Sequence, residues 1–347
     1  MTILQFLSMR TVPTNNFNLL RIVFAVLVVI THSYNISGDT LDDYLTRLTY
    51  GQVSFSFIGL SGFFIISGYL VFQSLMRSES VVSYFKKRIL RIFPALFIVL
   101  LLTVLLGYFV YESDFHSYVT NASVWTYLPR NFFLRNQDII QGIFTKNPYG
   151  PIINESLWSL LYEFSFYVAL AVLFFFTRRV QIILTLLVLI LLLIGRLFWY
   201  TELSEIKFIL EARLVLEYGP FFAFGSLLAI LKIENITWNK SLLVLLVFLL
   251  IIAVVVQIFD LTRFFLLPSI VILIGLESIP FLNKVLAKLG DVSYGIYIYA
   301  FPAQQTLIHY FRFTTMELIV TSIIVSFMLG YFSWHCIEKY ALKLKSN

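Results

Sequence analysis

About ten stretches of roughly 20 largely apolar residues follow one another along this chain, each long enough to cross the hydrocarbon core of a bilayer. In lipid no water satisfies backbone N–H and C=O groups, so such stretches are expected to be helices. The rest of the composition agrees, with 59% hydrophobic residues and only 13% charged ones. The fold class is therefore an all-α polytopic membrane protein, read as one domain over 1–347. The helices are expected at about 17–34, 52–74, 84–110, 156–176, 180–199, 209–231, 240–259, 262–279, 291–311 and 315–337. The sixth is expected to break at Tyr218-Gly219-Pro220, and a tight turn at Asp260 to join the seventh and eighth. Pro94 is placed near the start of the third apolar run, where a missing N–H is cheap. The long connection 111–155 reads as an ordered extramembrane or re-entrant segment.

Charge sets the expected orientation. If the N-terminus is cytoplasmic, the inner segments hold 15 of the 25 basic residues, from Arg10 and the Lys86–Arg91 cluster to Lys345. Both termini are then inside, in the cytoplasmic membrane. The opening MTILQFLSMR has too short an apolar run for a cleaved signal peptide. A net charge of +6 calls for no nucleic-acid partner in a protein with basic inner loops. One cysteine, Cys336, excludes intrachain disulfides, and the four histidines show no metal-ligand spacing.

Five groups of residues invite a chemical reading. Arg21 and His32 lie on one face of the first helix, ~16 Å apart along its axis, since eleven residues make about three turns. Arg within a span is costly, which suggests a function, although an Arg near a helix end also snorkels. Arg88 and Arg91, three apart, can grip one anion or simply contact lipid headgroups. Glu163, seven residues into the fourth helix, is placed by depth beside His32, where a carboxylate orients an imidazole for general-base work. Its plainer reading is a structural pair with Arg213. Gly59, Gly62 and Gly68 on the second helix suit close helix packing, with Ser67 as a polar contact in a pocket. Ser293, Tyr294, Tyr297 and Tyr299 open the ninth helix, either as an interfacial belt or as a polar wall.

In this order the pieces resemble the acyltransferase-3 family of membrane-bound O-acyltransferases. The family's Arg–ten residues–His pattern is matched by Arg21 and His32, and its Phe pair and Ser-Gly by Phe63-Phe64 and Ser67-Gly68. Arg88 and Arg91 match its Arg-x-x-Arg. Leu157-Trp158-Ser159-Leu160 with Glu163, Ser293-Tyr294 with Tyr297 and Phe301-Pro302, and the closing Ile337-Glu338-Lys339 complete the set. Two positions depart from it: Ser61-Gly62 stands where many members have an acidic residue, and Ala300 where many have His. The resemblance implies an O-acyltransferase taking an acyl group, most simply acetyl, from acetyl-coenzyme A to a hydroxyl of a cell-surface polysaccharide or glycolipid.

On that footing Arg21, Arg88, Arg91 and Ser67 are donor-binding candidates, His32 the general base with Glu163 orienting it, and Trp158, Tyr294 and Tyr297 substrate-binding candidates. No permanently bound cofactor or metal is expected; the acyl-coenzyme A donor is a co-substrate, and the partners are a saccharide acceptor and membrane lipids. The stand-alone form is expected, with no esterase-like domain. The competing class is a transporter or flippase in which Arg21, Glu163 and His32 line a path without chemistry. Oligomeric state is not read from the residues.

Overall fold

The computed structural model describes residues 15–344, so Arg10, Lys345 and the opening segment lie outside the described residues. Among the described residues ten long helices coincide with the ten apolar runs: α1 (Phe17–Ser37), α2 (Phe55–Met76), α3 (Val81–Phe109), α4 (Trp158–Ala171), α5 (Arg178–Phe198), α6 (Ala212–Leu231), α7 (Lys240–Val255), α8 (Phe259–Leu276), α9 (Ser293–Phe311) and α10 (Thr315–Ser333). Short 3₁₀ turns extend α4 at both ends, and a π turn at Trp334–Glu338 joins α10 to a last helix, Lys339–Lys343. Among the described residues eight of these segments are long and apolar enough to cross a membrane; α7 is shorter. The ninth, α9, has the length but carries too many tyrosines and glutamines, and most of it is buried among other helices.

Three local expectations are corrected. Tyr218, Gly219 and Pro220 sit inside an uninterrupted α6, because a helix walled by neighbours tolerates the one bond that proline removes. Pro94 is well inside α3, not in its first turn, since the basic stretch from Val81 is already helical. Asp260 belongs to the first turn of α8, where it accepts from Arg196 Nη2 at 2.9 Å and Arg263 Nη2 at 2.8 Å.

Glycines set how the central helices touch. A Cβ on Gly68 would collide with the carbonyl of Phe222 in α6, and one on Gly225 of α6 with the carbonyl of Ile65 in α2. Gly59 meets the Phe24 carbonyl of α1 in the same way, at 2.6 Å. With no hydrophobic drive between helices in lipid, such close backbone contact carries the packing. Gly68→Ala is expected to destabilise the protein by about 1–3 kcal/mol, the usual cost of overpacking. Thermal unfolding of the detergent-solubilised variant checks it; an unchanged midpoint would mean that the α2–α6 seam yields.

The α1–α2 register gives a depth scale. Asp43, buried in the connecting loop, accepts from Thr31 Oγ1 at 2.7 Å and from the Phe55 amide at 3.2 Å, while the Ser56 amide donates to Thr31 Oγ1 at 2.9 Å. His32 is therefore level with the start of α2. The connection 111–155 folds into two short helices, Phe115–Thr120 and Ala122–Phe132, and a looped return with Ile140, Ile143, Phe144 and Ile153 fully buried. Its last part sinks among the helices, as Asn154 Nδ2 donates to the Ile298 carbonyl of α9 at 3.0 Å. The amide donor thus satisfies a backbone group that α9 leaves open beside Pro302.

Candidate active site

A cavity of about 370 Å³ opens at one end of the bundle, between α1, α2, α3, α4 and the start of α9. Seven of the nine residues singled out in the sequence line it: Arg21, Ser67, Arg88, Arg91, Glu163, Tyr294 and Tyr297. Glu163 accepts a hydrogen bond from Ser67 Oγ at 3.0 Å and another from the Tyr167 hydroxyl one turn along α4. Tyr297 and Ser159 share a hydroxyl hydrogen bond of 2.7 Å, and Tyr294 donates to the Ile92 carbonyl of α3 at 3.0 Å. The α9 hydroxyls form a polar inner wall here, not an interfacial belt.

Asp291, at the foot of α9, ties the arginines together. One of its oxygens accepts from Arg21 Nη1 at 3.0 Å and from Arg91 Nη2 at 2.8 Å, and the other from Ser293 Oγ at 2.8 Å. Arg91 Nη1 reaches Glu338 at 3.1 Å, whose other oxygen accepts from Ser333 Oγ at 2.9 Å. Arg88 stands apart: its Nη2 donates to Ser74 Oγ at 3.1 Å and its guanidinium lies over the Tyr167 ring. The expected grip of Arg88 and Arg91 on one anion is thus not what this packing presents.

His32 and Trp158 do not line the cavity. The His32 ring meets Phe301 of α9 edge-on, with centroids 5.1 Å apart, and its Nδ1 is buried with no hydrogen-bond partner among the described residues. Glu163 is not beside it. Ser67, which holds Glu163, lies eleven residues along α2 from Ser56, so the carboxylate sits ~16 Å deeper than His32, level with Arg21. Counting seven residues from a start of α4 at the membrane face would put Glu163 level with His32. Instead α4 begins within the bundle, where the sunken 154–157 segment delivers it. The alternative partner, Arg213, lies 3.8 Å from Glu211 on the exposed side. Trp158 packs against the Tyr162 and Tyr218 rings, at 5.6 and 5.7 Å.

This is one arginine-floored cavity and one histidine, at two depths of the same helix. A profile described as an acyltransferase domain matches residues 14–335. The chain belongs to that family. An O-acetyl transferase of Shigella phage Sf6 is 30% identical over 340 residues, covering 96% of this chain and 97% of that protein. Nodulation protein 10 of Rhizobium leguminosarum bv. viciae is 36% identical over 177 residues, 48% of this chain and 45% of that protein. No solved structure matches. The acyltransferase is thus an enzyme, and transport without chemistry is set aside.

Several residues of the acyltransferase's cavity escaped the motif-level reading. Tyr167 was within reach, being four residues from Glu163 on one helix face. Asp291 stands two residues before Ser293 and Glu338 lies inside the closing Ile337-Glu338-Lys339, but nothing local says that they meet Arg91 across 200 and 247 residues. Arg196, Glu217, Asp260 and Arg263 form a second charged cluster between α5, α6 and α8. Glu217 bridges the two arginines, and Arg263 is only 5% exposed.

Proposed function

We propose that this acyltransferase moves an acetyl group from acetyl-coenzyme A to a hydroxyl of a cell-surface saccharide or glycolipid. In this reading it sits in the cytoplasmic membrane with both termini and the open cavity on the cytoplasmic side. The observation that carries the reading is the alignment on α1: Arg21 in the cationic cavity, and His32 ~16 Å further along the same helix. Further support comes from the near full-length match to an O-acetyl transferase.

The donor's phosphates meet guanidiniums in the cavity, and its narrow pantetheine arm runs along Ser67, Tyr294 and Tyr297 towards His32. There His32 takes the proton of the acceptor hydroxyl while the hydroxyl oxygen attacks the thioester carbonyl. The C–S bond breaks, and the departing thiolate receives the proton from the imidazolium. Glu163, at donor depth, holds Ser67 and Tyr167 against the arm instead of orienting His32. Trp158 has the role of a packing residue at the α4–α6 junction.

Protein in nanodiscs supplied with acetyl-labelled acetyl-coenzyme A and glycolipid from the parent membrane is expected to form labelled glycolipid. Surface glycans from a deletion strain are expected to lack the acetyl ester by mass spectrometry. Unlabelled lipid together with identical glycans from both strains would overturn the assignment.

A further inference from the structure

The Arg-x-x-Arg spacing suggests that Arg88 and Arg91 act as a pair, but their surroundings divide them. Arg91 is engaged at both ends of its fork, by Asp291 and by Glu338, and Arg21 shares the same Asp291 oxygen. Glu338, 2% exposed, reaches inward because the chain widens into a π turn at Trp334–Glu338, a device found often at functional sites. Two cations and two anions cancel, leaving a closed and nearly neutral frame along one side of the cavity.

The opposite side differs. Arg77 caps the end of α2, is exposed, and lines the cavity. Among the described residues its side chain has neither an ion pair nor a hydrogen bond. Three residues earlier on α2, Ser74 accepts from Arg88, whose Nε is buried without a partner. Among the described residues the cavity's guanidiniums without a carboxylate ion pair are therefore Arg77 and Arg88, on two different helices, and the cavity's remaining carboxylate, Glu163, is taken up by the Ser67 and Tyr167 hydroxyls. Charge-assisted bonds form most readily at guanidiniums that no carboxylate already occupies. An exposed Arg77 also gives up no internal partner when a ligand arrives.

We propose that Arg77 and Arg88 together take a phosphate of the anionic donor, while Arg21, Asp291, Arg91 and Glu338 form a fixed frame that does not touch that phosphate. The inference rests on the coenzyme A reading of the cavity. Its test uses the full-length protein in detergent and two probes, coenzyme A and pantetheine, which share a thiol arm but differ in phosphates. The parent is expected to bind coenzyme A more tightly than pantetheine. Arg77→Gln is expected to shrink that preference by about 10-fold or more, with pantetheine affinity unchanged. Arg77→Lys is expected to keep most of it, and added salt to weaken coenzyme A binding more steeply in the parent than in Arg77→Gln. If Arg77→Gln retains the parental preference, the Arg77 assignment falls and the donor reading stands. If the parent binds both probes equally, the donor reading falls and takes this inference with it.

Discussion

His32→Ala is expected to lower acetyl transfer by about 10²–10⁴-fold, the range that a positioned general base contributes, while leaving coenzyme A affinity at the parental level. The two readouts separate because the ring stands ~16 Å along α1 from Arg21 and does not line the arginine cavity. The protein should also remain folded. The ring's edge contact with Phe301 is of a kind worth about 0.5–1.5 kcal/mol. Its Nδ1 has no hydrogen bond to lose among the described residues. Retained transfer in His32→Ala would remove the base from this residue. Lost transfer accompanied by lost coenzyme A binding would point to a structural role instead.

Asp291→Ala is expected to produce the largest loss of stability among single cavity substitutions. It leaves Arg21 and Arg91 without the carboxylate that holds them together, and breaking a buried ion pair typically costs about 3–5 kcal/mol. The Asp291 side chain is 18% exposed and Arg91 keeps Glu338, so the lower end, about 3 kcal/mol, is expected. Coenzyme A affinity is expected to fall as well, because Arg21 is freed and Arg91 is left with Glu338 alone, so the frame no longer fixes the cavity's shape. Thermal unfolding in detergent and coenzyme A binding test the two effects separately. An unchanged midpoint with parental affinity would show that the arginines hold their places without Asp291. Asp291→Asn, which keeps the side chain's size and removes its charge, is expected to lie between the parent and Asp291→Ala.

How far the site could be read before folding depends on which residues one follows. Arg21, Ser67, Arg88, Arg91, Glu163, Tyr294 and Tyr297 could be picked out as polar groups in apolar helices, and all of them reach one cavity. What such residues cannot reveal in isolation is their partners. Glu163 was read as belonging with His32, yet it accepts from Ser67 and from Tyr167. Depth along α4 does not follow from position in the apolar run, because the 154–157 segment starts this helix inside the bundle. Arg91 was read as half of an anion clamp, and its guanidinium is taken up by two carboxylates from distant parts of the chain.

The amino-acid sequence alone determined that this is a bundle of membrane helices, because backbone groups in lipid must be satisfied within each apolar run, and this requirement is local. It also determined that Arg21 and His32 share a face of α1, since that follows from helical period. Tertiary structure decided which carboxylate meets which arginine, where the cavity opens, and that Glu163 lies at the depth of Arg21. Those outcomes depend on helix register and on how closely Gly68 and Gly225 let backbones approach, quantities set between segments and not within any one of them.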